Sequence, residues 1–368
     1  MKVGILTFHN TTNYGATLQA YALMQVIQSQ GHEVELIDYR PYRVGLAYLK
    51  HLYVNKCFRF RYSISNTVKS WKMRNFLLSR MGLSKGKFYR KASLDSWNPD
   101  YDVVVCGSDE IWELGKVIES IPLGTDFCLS YFFDFISNPK TRKVSYAPSC
   151  GPTKTFGNHR EKVSQLLKNF HAISVRDAHS LKLLSEEYGI QATKVLDPTF
   201  LADFKDITAS VPIQQKYILV YGALSGDEQN YVKAVADREG LEIISIGYPC
   251  QVAHSNRVDI GPEEWLGYYA QASYVFTSFY HGTIFSIIFN KPFTTFSRST
   301  AGNNKSKKVQ DLLKDLDLED RLLNVNRITS HQPQLNLPQL NLELNFDTSK
   351  LQQMIGQSNA YLSQALSA

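Results

Sequence analysis

The chain opens Met1-Lys2-Val3-Gly4-Ile5-Leu6-Thr7-Phe8, turns polar at His9-Asn10-Thr11-Thr12-Asn13-Tyr14-Gly15, and resumes an apolar period from Thr17 to Gln28. Gly31 then precedes Glu33-Val34-Glu35-Leu36-Ile37-Asp38-Tyr39. Val3–Phe8 is a short apolar run, and Thr17–Gln28 repeats its apolar residues at helical spacing. Glu33–Tyr39 is a second run rich in β-branched and aliphatic residues. Glycine after the helical pattern is a natural stop. Strand, polar loop, helix, strand is the first βαβ unit of a parallel sheet, and the rest of the chain is read from it.

The same grammar continues. Val103–Cys106, Lys143–Ala147, Ala172–Val175 and Thr193–Leu196 are further strand candidates. Periodicity fades over Phe200–Gln215, and Pro212 lies just before a new start. From there the pattern repeats: strand Tyr217–Tyr221, helix Asp227–Arg238, strand Glu242–Ile246, helix Glu263–Ala270, strand Tyr274–Thr277, helix Thr283–Phe289 and strand Phe293–Phe296. The expected fold class is α/β, with two doubly wound Rossmann-like domains facing a cleft. The first covers 1–205 with an insertion at about 40–94, and the second covers 206–346. Gln334–Leu337 and Gln339–Leu342 repeat Gln-Leu-Asn-Leu within Gln332–Phe346, which suits an extended connector. Helical spacing resumes at Leu351, Ile355 and Leu362, so the helix 347–368 is expected to rejoin the first domain.

Composition narrows the class. With 368 residues, 43% apolar and 20% charged, the chain is an ordinary globular protein rather than a disordered one. No run approaches the ~18 apolar residues that span a bilayer, and the first run is too short for a signal-peptide core. Five widely spaced cysteines without a CxxC pair favour neither a disulfide framework nor structural zinc. A reducing cytoplasm is the expected address. The net charge of +6 conceals an asymmetry. Between Tyr39 and Leu94 there are 14 basic residues and no acidic one, whereas the remainder carries 26 against 34. Aromatics interleave this block, among them Tyr48, Tyr53, Phe60, Trp71 and Tyr89. An anionic lipid surface fits such a block, as does a solvated insertion packing its rings on the body. Nucleic acid is not expected, since none of its recognition motifs accompanies the charge.

In open α/β sheets ligands bind beyond the carboxyl ends of the strands. Four segments fall there. Asn13, Tyr14 and Gly15 lie in the first loop, which lacks a GxGxxG fingerprint. Gly107-Ser108-Asp109-Glu110-Ile111-Trp112 follows a strand: Asp109 is a candidate acid or base, Trp112 could stack on a sugar, and an ordinary helix cap would look similar. Arg176, in Ser174-Val175-Arg176-Asp177, can grip a carboxylate or phosphate, or pair with a protein carboxylate. In Thr277-Ser278-Phe279-Tyr280-His281-Gly282-Thr283, an imidazole stands beside glycine and hydroxyls at a helix N-terminus, a setting suited to an anion and to proton transfer. Arg298, Lys305, Lys307 and Lys308 follow as further cations. No metal-ligand cluster is visible.

Taken together, Gly4–Asn10 with Asn13–Ala16, Gly107–Trp112, Ser145–Ser149, Ser174–Asp177, Asp197–Thr199, His281-Gly282 and Asn290–Phe293 resemble the polysaccharide pyruvyl transferases over nearly the whole chain. That resemblance implies a two-domain GT-B-like fold. It also implies transfer of pyruvate from phosphoenolpyruvate, as co-substrate and without a cofactor, onto hydroxyls of a cell-surface glycan to form a ketal. Arg176 and His281 are implied donor contacts, with Ser278, Gly282 and Thr283 beside them. Asn13, Tyr14, Gly15, Ser108 and Trp112 are left for the acceptor. His281 would be the general acid and Asp109 the base. Many members carry arginine two places before the histidine, where this chain has Phe279, so Arg298, Lys305, Lys307 or Lys308 is expected to substitute. Acceptors built on polyprenyl pyrophosphate would bring the basic block to the inner face of the membrane. The rival readings are a GT-B glycosyltransferase using a nucleotide sugar, and a non-catalytic glycan- or membrane-binding protein of the same fold.

Overall fold

The computed structural model describes residues 1–53, 62–118, 121–123, 125–297, 307–324, 343–344 and 346–367. The chain divides into two compact units. One comprises Met1–His51, Arg74–Asp203 and Ser349–Ala368, and the other Leu52–Met73 and Phe204–Thr348.

In chain order the elements begin β1 (Lys2–Leu6), α1 (Tyr14–Ser29), β2 (Glu33–Tyr39), α2 (Tyr42–Tyr53), α3 (Ser63–Arg80), β3 (Leu83–Phe88), α4 (Lys91–Asp95) and β4 (Val103–Cys106). A small hairpin, β5 (Val117–Ile118) and β6 (Ile121–Pro122), precedes α5 (Thr125–Ser130), β7 (Arg142–Ser145), α6 (Arg160–Leu167) and β8 (Phe170–Ala172). The first unit's sheet is wholly parallel in the order β3-β2-β1-β4-β7-β8. A short pair, β9 (Ser174–Val175) and β10 (Thr193–Lys194), flanks α7 (Ala178–Tyr188).

The second unit follows with β11 (Tyr217–Tyr221), α8 (Gly226–Glu239), β12 (Glu242–Ile246), β13 (Ser255–Arg257), α9 (Pro262–Gln271), β14 (Tyr274–Thr277), α10 (Tyr280–Ile288), β15 (Phe293–Ser297), α11 (Lys307–Asp315) and β16 (Leu322–Asn324). Its sheet is parallel in the order β13-β12-β11-β14-β15-β16. Counted along its own strands, each sheet therefore runs 3-2-1-4-5-6. That is the doubly wound Rossmann order, whose direction reverses between β1 and β4 and again between β11 and β14.

The central strands follow from composition. β4 reads Val-Val-Val-Cys and β11 Tyr-Ile-Leu-Val-Tyr, and every residue of both is buried, as a strand covered on two faces requires. α1 is buried from Tyr14 to Met24, so it packs on more than one side. The Asn13 side chain caps it, accepting from the amides of Gly15 at 3.0 Å and Ala16 at 3.4 Å. Gly31 ends the turn with φ +84°.

The edges differ from the sequence expectation. β3, Leu-Ser-Lys-Gly-Lys-Phe, comes from the basic block and joins the sheet alongside β2. β13 and β16 form the edges of the second sheet. Edge strands are short and polar, and so leave little hydrophobic signature. The final helix, α12 (Thr348–Ser367), belongs to the first unit. There Ser358 Oγ accepts from the Leu196 amide at 3.0 Å, and Tyr361 donates to the Ser145 carbonyl at 3.0 Å. The Gln334–Leu337 and Gln339–Leu342 repeats lie outside the described residues. Among those residues, no helix is long and apolar enough to cross a membrane.

Candidate functional site

The loops at the two reversal points hold most of the candidate residues, and each unit is described by itself. In the first, Gly107 leaves β4 with φ +127°, and a Cβ there would lie 1.8 Å from the Tyr146 carbonyl oxygen. Glycine is required at this position. Asp109 (φ +79°) and Ala147 (φ +55°) are also left-handed, a concentration of unfavourable backbone at one end of the sheet. Ser108 is fully buried. Its amide donates to Gln19 Oε1 at 2.9 Å, its carbonyl accepts from Thr7 Oγ1 at 3.0 Å, and its hydroxyl donates to the Ala147 carbonyl at 3.0 Å. Gln19, buried on α1, also donates to Thr7 Oγ1 at 2.9 Å and to the Phe8 carbonyl at 3.2 Å. It thereby ties the first loop to the loop after β4. The sequence reading missed Gln19, whose one signal is an amide inside the apolar stripe Leu18–Met24.

Arg176 lies in the same network. Its guanidinium has no exposed surface and donates from Nη1 to Asp197 Oδ2 at 2.9 Å and to Ser108 Oγ at 3.3 Å. Nη2 donates to Asp109 Oδ1 at 3.3 Å. Asp197 is itself buried and accepts from the Thr199 amide and hydroxyl at 3.2 and 2.8 Å. The expectation that Arg176 grips phosphoenolpyruvate meets a fork already engaged by protein carboxylates, and its observed contacts hold the Gly107–Asp109 loop in place. Asp109 keeps 15% of its side chain exposed and accepts the Glu110 amide at 2.8 Å. Nearby, Lys116 pairs with Glu113 at 2.7 Å and Glu110 at 3.1 Å. Burial would lower the lysine's pKa, but those carboxylates outweigh it and hold it raised.

Tyr14 and Trp112 are core residues, both wholly buried. Trp112 stacks on Phe132 with centroids 4.6 Å apart and donates its indole N–H to the Tyr131 carbonyl at 3.1 Å. No ring surface is open to a sugar, because the aromatic cluster beneath the sheet has claimed it. Gly15 is buried in the first turn of α1, and Asn13 is exposed as its cap.

In the second unit, Thr277 ends β14 with its hydroxyl donating to the Tyr221 carbonyl at 2.7 Å and accepting the Phe279 amide at 3.1 Å. α10 begins directly after, with Tyr280, His281, Gly282 and Thr283 in its first turn. Phe279 offers no side-chain cap to that turn, and the positive end of the helix dipole there suits an anion. A Cβ on Gly282 would lie 2.0 Å from Thr277 Oγ1, so α10 reaches the strand this closely only with glycine. Thr283 is buried and hydrogen-bonds Thr295 Oγ1 at 2.8 Å. His281 is 8% exposed and Ser278 is half-buried. Lys308 sets its ammonium 5.0 Å from the centroid of the Tyr280 ring, itself edge-on to His281. Lys307 is exposed at the start of α11, and Arg298 and Lys305 lie outside the described residues. Phe279 packs on Tyr221 and Tyr248, at 5.2 and 5.1 Å. Against the far side of that cluster, buried Lys69 of α3 lies 5.5 Å from the Tyr248 centroid. Ser278, His281, Gly282, Thr283 and Lys308 thus share one end of the second sheet, while Ser108, Asp109 and Arg176 share one end of the first. Among the described residues, no group of three or more His, Cys, Asp or Glu is arranged to hold a metal ion.

Comparison with known proteins bears on this arrangement. No curated protein sequence matches the chain. Solved structures similar to it include the UDP-GlcNAc 2-epimerase from Methanocaldococcus jannaschii, at 11% identity and TM-score 0.48, covering 100% of this chain and 99% of that one. An S. aureus MnaA–UDP co-structure is similar at 12% identity and TM-score 0.46, covering 98% and 92%. The E. coli heptosyltransferase WaaC with ADP is similar at 12% identity and TM-score 0.40, covering 87% and 99%. The model of one family, described as polysaccharide pyruvyl transferase, matches residues 13–300. That range runs from the cap of α1 through both reversal points and the His281 turn, and so this chain belongs to the polysaccharide pyruvyl transferase family.

Proposed function

We propose that the protein transfers pyruvate from phosphoenolpyruvate to two hydroxyls of a glycan, forming a ketal, in cell-surface polysaccharide synthesis. The carrying observation is His281 in the first turn of α10, inside the residues that match the family. Phosphoenolpyruvate carries two anionic groups, and helix N-terminal amides with a neighbouring ammonium suit such a ligand. Ser278, Gly282 and Thr283 supply that end of α10, and Lys308 is the described cation beside it. It is a candidate for the role that many members give to the arginine replaced here by Phe279.

The steps balance without a redox partner. His281 gives a proton to the methylene carbon, leaving an oxocarbenium-like centre at the carbon that bears the phosphate. One glycan hydroxyl adds there and yields its proton to the phosphate oxygen as that group departs. The carbon–oxygen bond to phosphate breaks, the second hydroxyl adds, and its proton returns to the imidazole. Ketal and inorganic phosphate are the products. Proton transfer from a positioned side chain contributes about 10²–10⁴-fold.

The basic segment supports a lipid-linked acceptor at the cytoplasmic face of the membrane. On α3, Ile64, Trp71 and Leu78 recur every seven residues and are 83%, 64% and 54% exposed, with Arg74 and Arg80 exposed alongside. Lys69 is turned inward and Lys72 pairs with Glu264 at 2.7 Å, whereas the arginines sit on the exposed side of the helix.

Incubation with phosphoenolpyruvate and a galactoside acceptor tests the reaction. Phosphate release with a ketal-bearing product, abolished by His281→Ala, is expected. Turnover with a nucleotide sugar and none with phosphoenolpyruvate overturns the proposal.

A further inference from the structure

Beside the loop that follows β1, a cavity of about 110 Å³ opens in the first unit at the carboxyl ends of β1 and β2. One water needs roughly 10–15 Å³ of such space, so a group of several atoms fits. Its wall combines Arg40 with His9, Thr11 and the rings of Tyr42, Tyr48 and Tyr89. His9 and Thr11 belong to the polar loop read from the sequence, whereas Arg40, Tyr42, Tyr48 and Tyr89 carried no site assignment there.

Arg40 is held from behind. Its Nε donates to Asp38 Oδ1, which also meets His9 Nε2 at 3.1 Å, and the His9 Nδ1 faces the Thr7 carbonyl at 3.0 Å. Asp38 is completely buried. Burial would raise its carboxyl, but the hydrogen bonds from His9 and Arg40 outweigh that and keep it below the usual carboxylate range. The guanidinium is thereby fixed in orientation. One of its donors, Nη2, is buried without a hydrogen-bond partner among the described residues. A buried charged donor left unmatched is costly, and Arg40 on the cavity wall offers an anionic ligand a charged partner. The phenols of Tyr39 and Tyr48 are engaged with Ser130 and Thr11. Tyr42 and Tyr89, each about half exposed, stand as open rings on the wall. Arg43 lies 5.9 Å from the Tyr42 centroid and donates to its hydroxyl and to the Pro122 carbonyl, each at 3.2 Å, which orients that ring. Aromatic faces suit the apolar face of a sugar ring, and a fork held by a buried carboxylate suits a planar or tetrahedral anion.

We propose that this cavity is a binding subsite for a sugar bearing an anionic group, the charge on Arg40 and the ring against Tyr42 and Tyr89. The name acceptor for that sugar rests on the proposed reaction, whereas the binding itself does not. Isothermal titration of the full chain without phosphoenolpyruvate, using D-glucuronate, galactose 1-phosphate, inorganic phosphate and neutral D-galactose, separates carboxylate from phosphate as the charge. Saturable binding of one or both anionic sugars, at least tenfold tighter than galactose, is expected. Arg40→Lys should weaken it tenfold or more. Because changes at Arg40 also touch buried Asp38, the double variant Tyr42→Ala/Tyr89→Ala is measured alongside. It should weaken the anionic sugars and leave inorganic phosphate unchanged. Equal affinity for galactose, or anion binding untouched by both variants, overturns the subsite. Phosphate release from phosphoenolpyruvate with no anionic-sugar binding would overturn the subsite alone, and binding without turnover would leave the subsite standing while the reaction falls.

Discussion

Arg176→Met separates two accounts of one residue. As a donor contact, the side chain would matter for affinity and little for folding. The structure gives it Asp197 at 2.9 Å, Asp109 at 3.3 Å and Ser108 at 3.3 Å, with neither guanidinium nor Asp197 carboxylate exposed. Removing the cation strands a buried carboxylate, and breaking a buried pair from one side costs about 3–5 kcal/mol. With a urea slope of ~3 kcal/mol/M, toward the upper end for small proteins, the transition should fall by about 1–2 M. Because the chain has two units, the measured quantity is the midpoint of the transition that reports the first unit, not a global free energy. Tryptophan emission follows it in a Trp71→Phe/Trp265→Phe background, where the remaining tryptophans, Trp97 and Trp112, both lie in that unit. The pair variant Arg176→Met/Asp197→Leu should recover much of the loss, because no charge is then left buried. A midpoint within ~0.2 M of wild type for Arg176→Met, accompanied by lost phosphoenolpyruvate binding, would refute the positioning role and restore the donor contact.

Other outcomes follow from equally specific contacts. Burial lowers the Lys69 ammonium to about 7, against 10.5 in the unfolded chain. Its charge therefore opposes folding below about pH 7, and stability should rise with pH from about 7 to 10.5, where the unfolded state binds the extra proton. Lys69→Met should remove that rise in thermal scans, and a slope identical to wild type would count against a buried charge. Gly107→Ala sets a methyl 1.8 Å from a backbone oxygen at φ +127°, and a loss of at least ~2 kcal/mol in urea unfolding is expected. Gly282→Ala presses on Thr277 and should lower kcat more than it lowers the unfolding midpoint, since it moves the turn that carries His281. Trp71→Ala/Leu78→Ala should reduce sedimentation with anionic vesicles several-fold and leave turnover on a soluble acceptor intact; undiminished sedimentation would remove the membrane proposal.

The sequence by itself determined the parts of this protein that depend on neighbours along the chain. β2, β4, β11, β12 and β14 have the bounds read from the sequence, and in β4 and β11 the unbroken apolar stretch is what a strand covered on both faces needs. α1 and α8 were visible from their spacing, and the left-handed Gly31 from its place after the last turn. His281 was placed correctly at the start of a helix, since a strand end, glycine and an apolar helix are all local signals. Only the tertiary structure decided what depends on which segments meet. Arg176 has partners at 108, 109 and 197, and nothing in Ser-Val-Arg-Asp distinguishes that fork from one awaiting a ligand. Trp112 stacks on Phe132, twenty residues on, and so is core rather than sugar platform. Lys69 is buried although its neighbours Trp71 and Arg74 face solvent, because one side of α3 packs and the other does not. Arg40 looked like one charge among 14, until β2 and the loop after β1 placed Asp38 and His9 behind it. Side-chain chemistry at such positions is set by contacts distant in sequence, and local pattern carries no record of them.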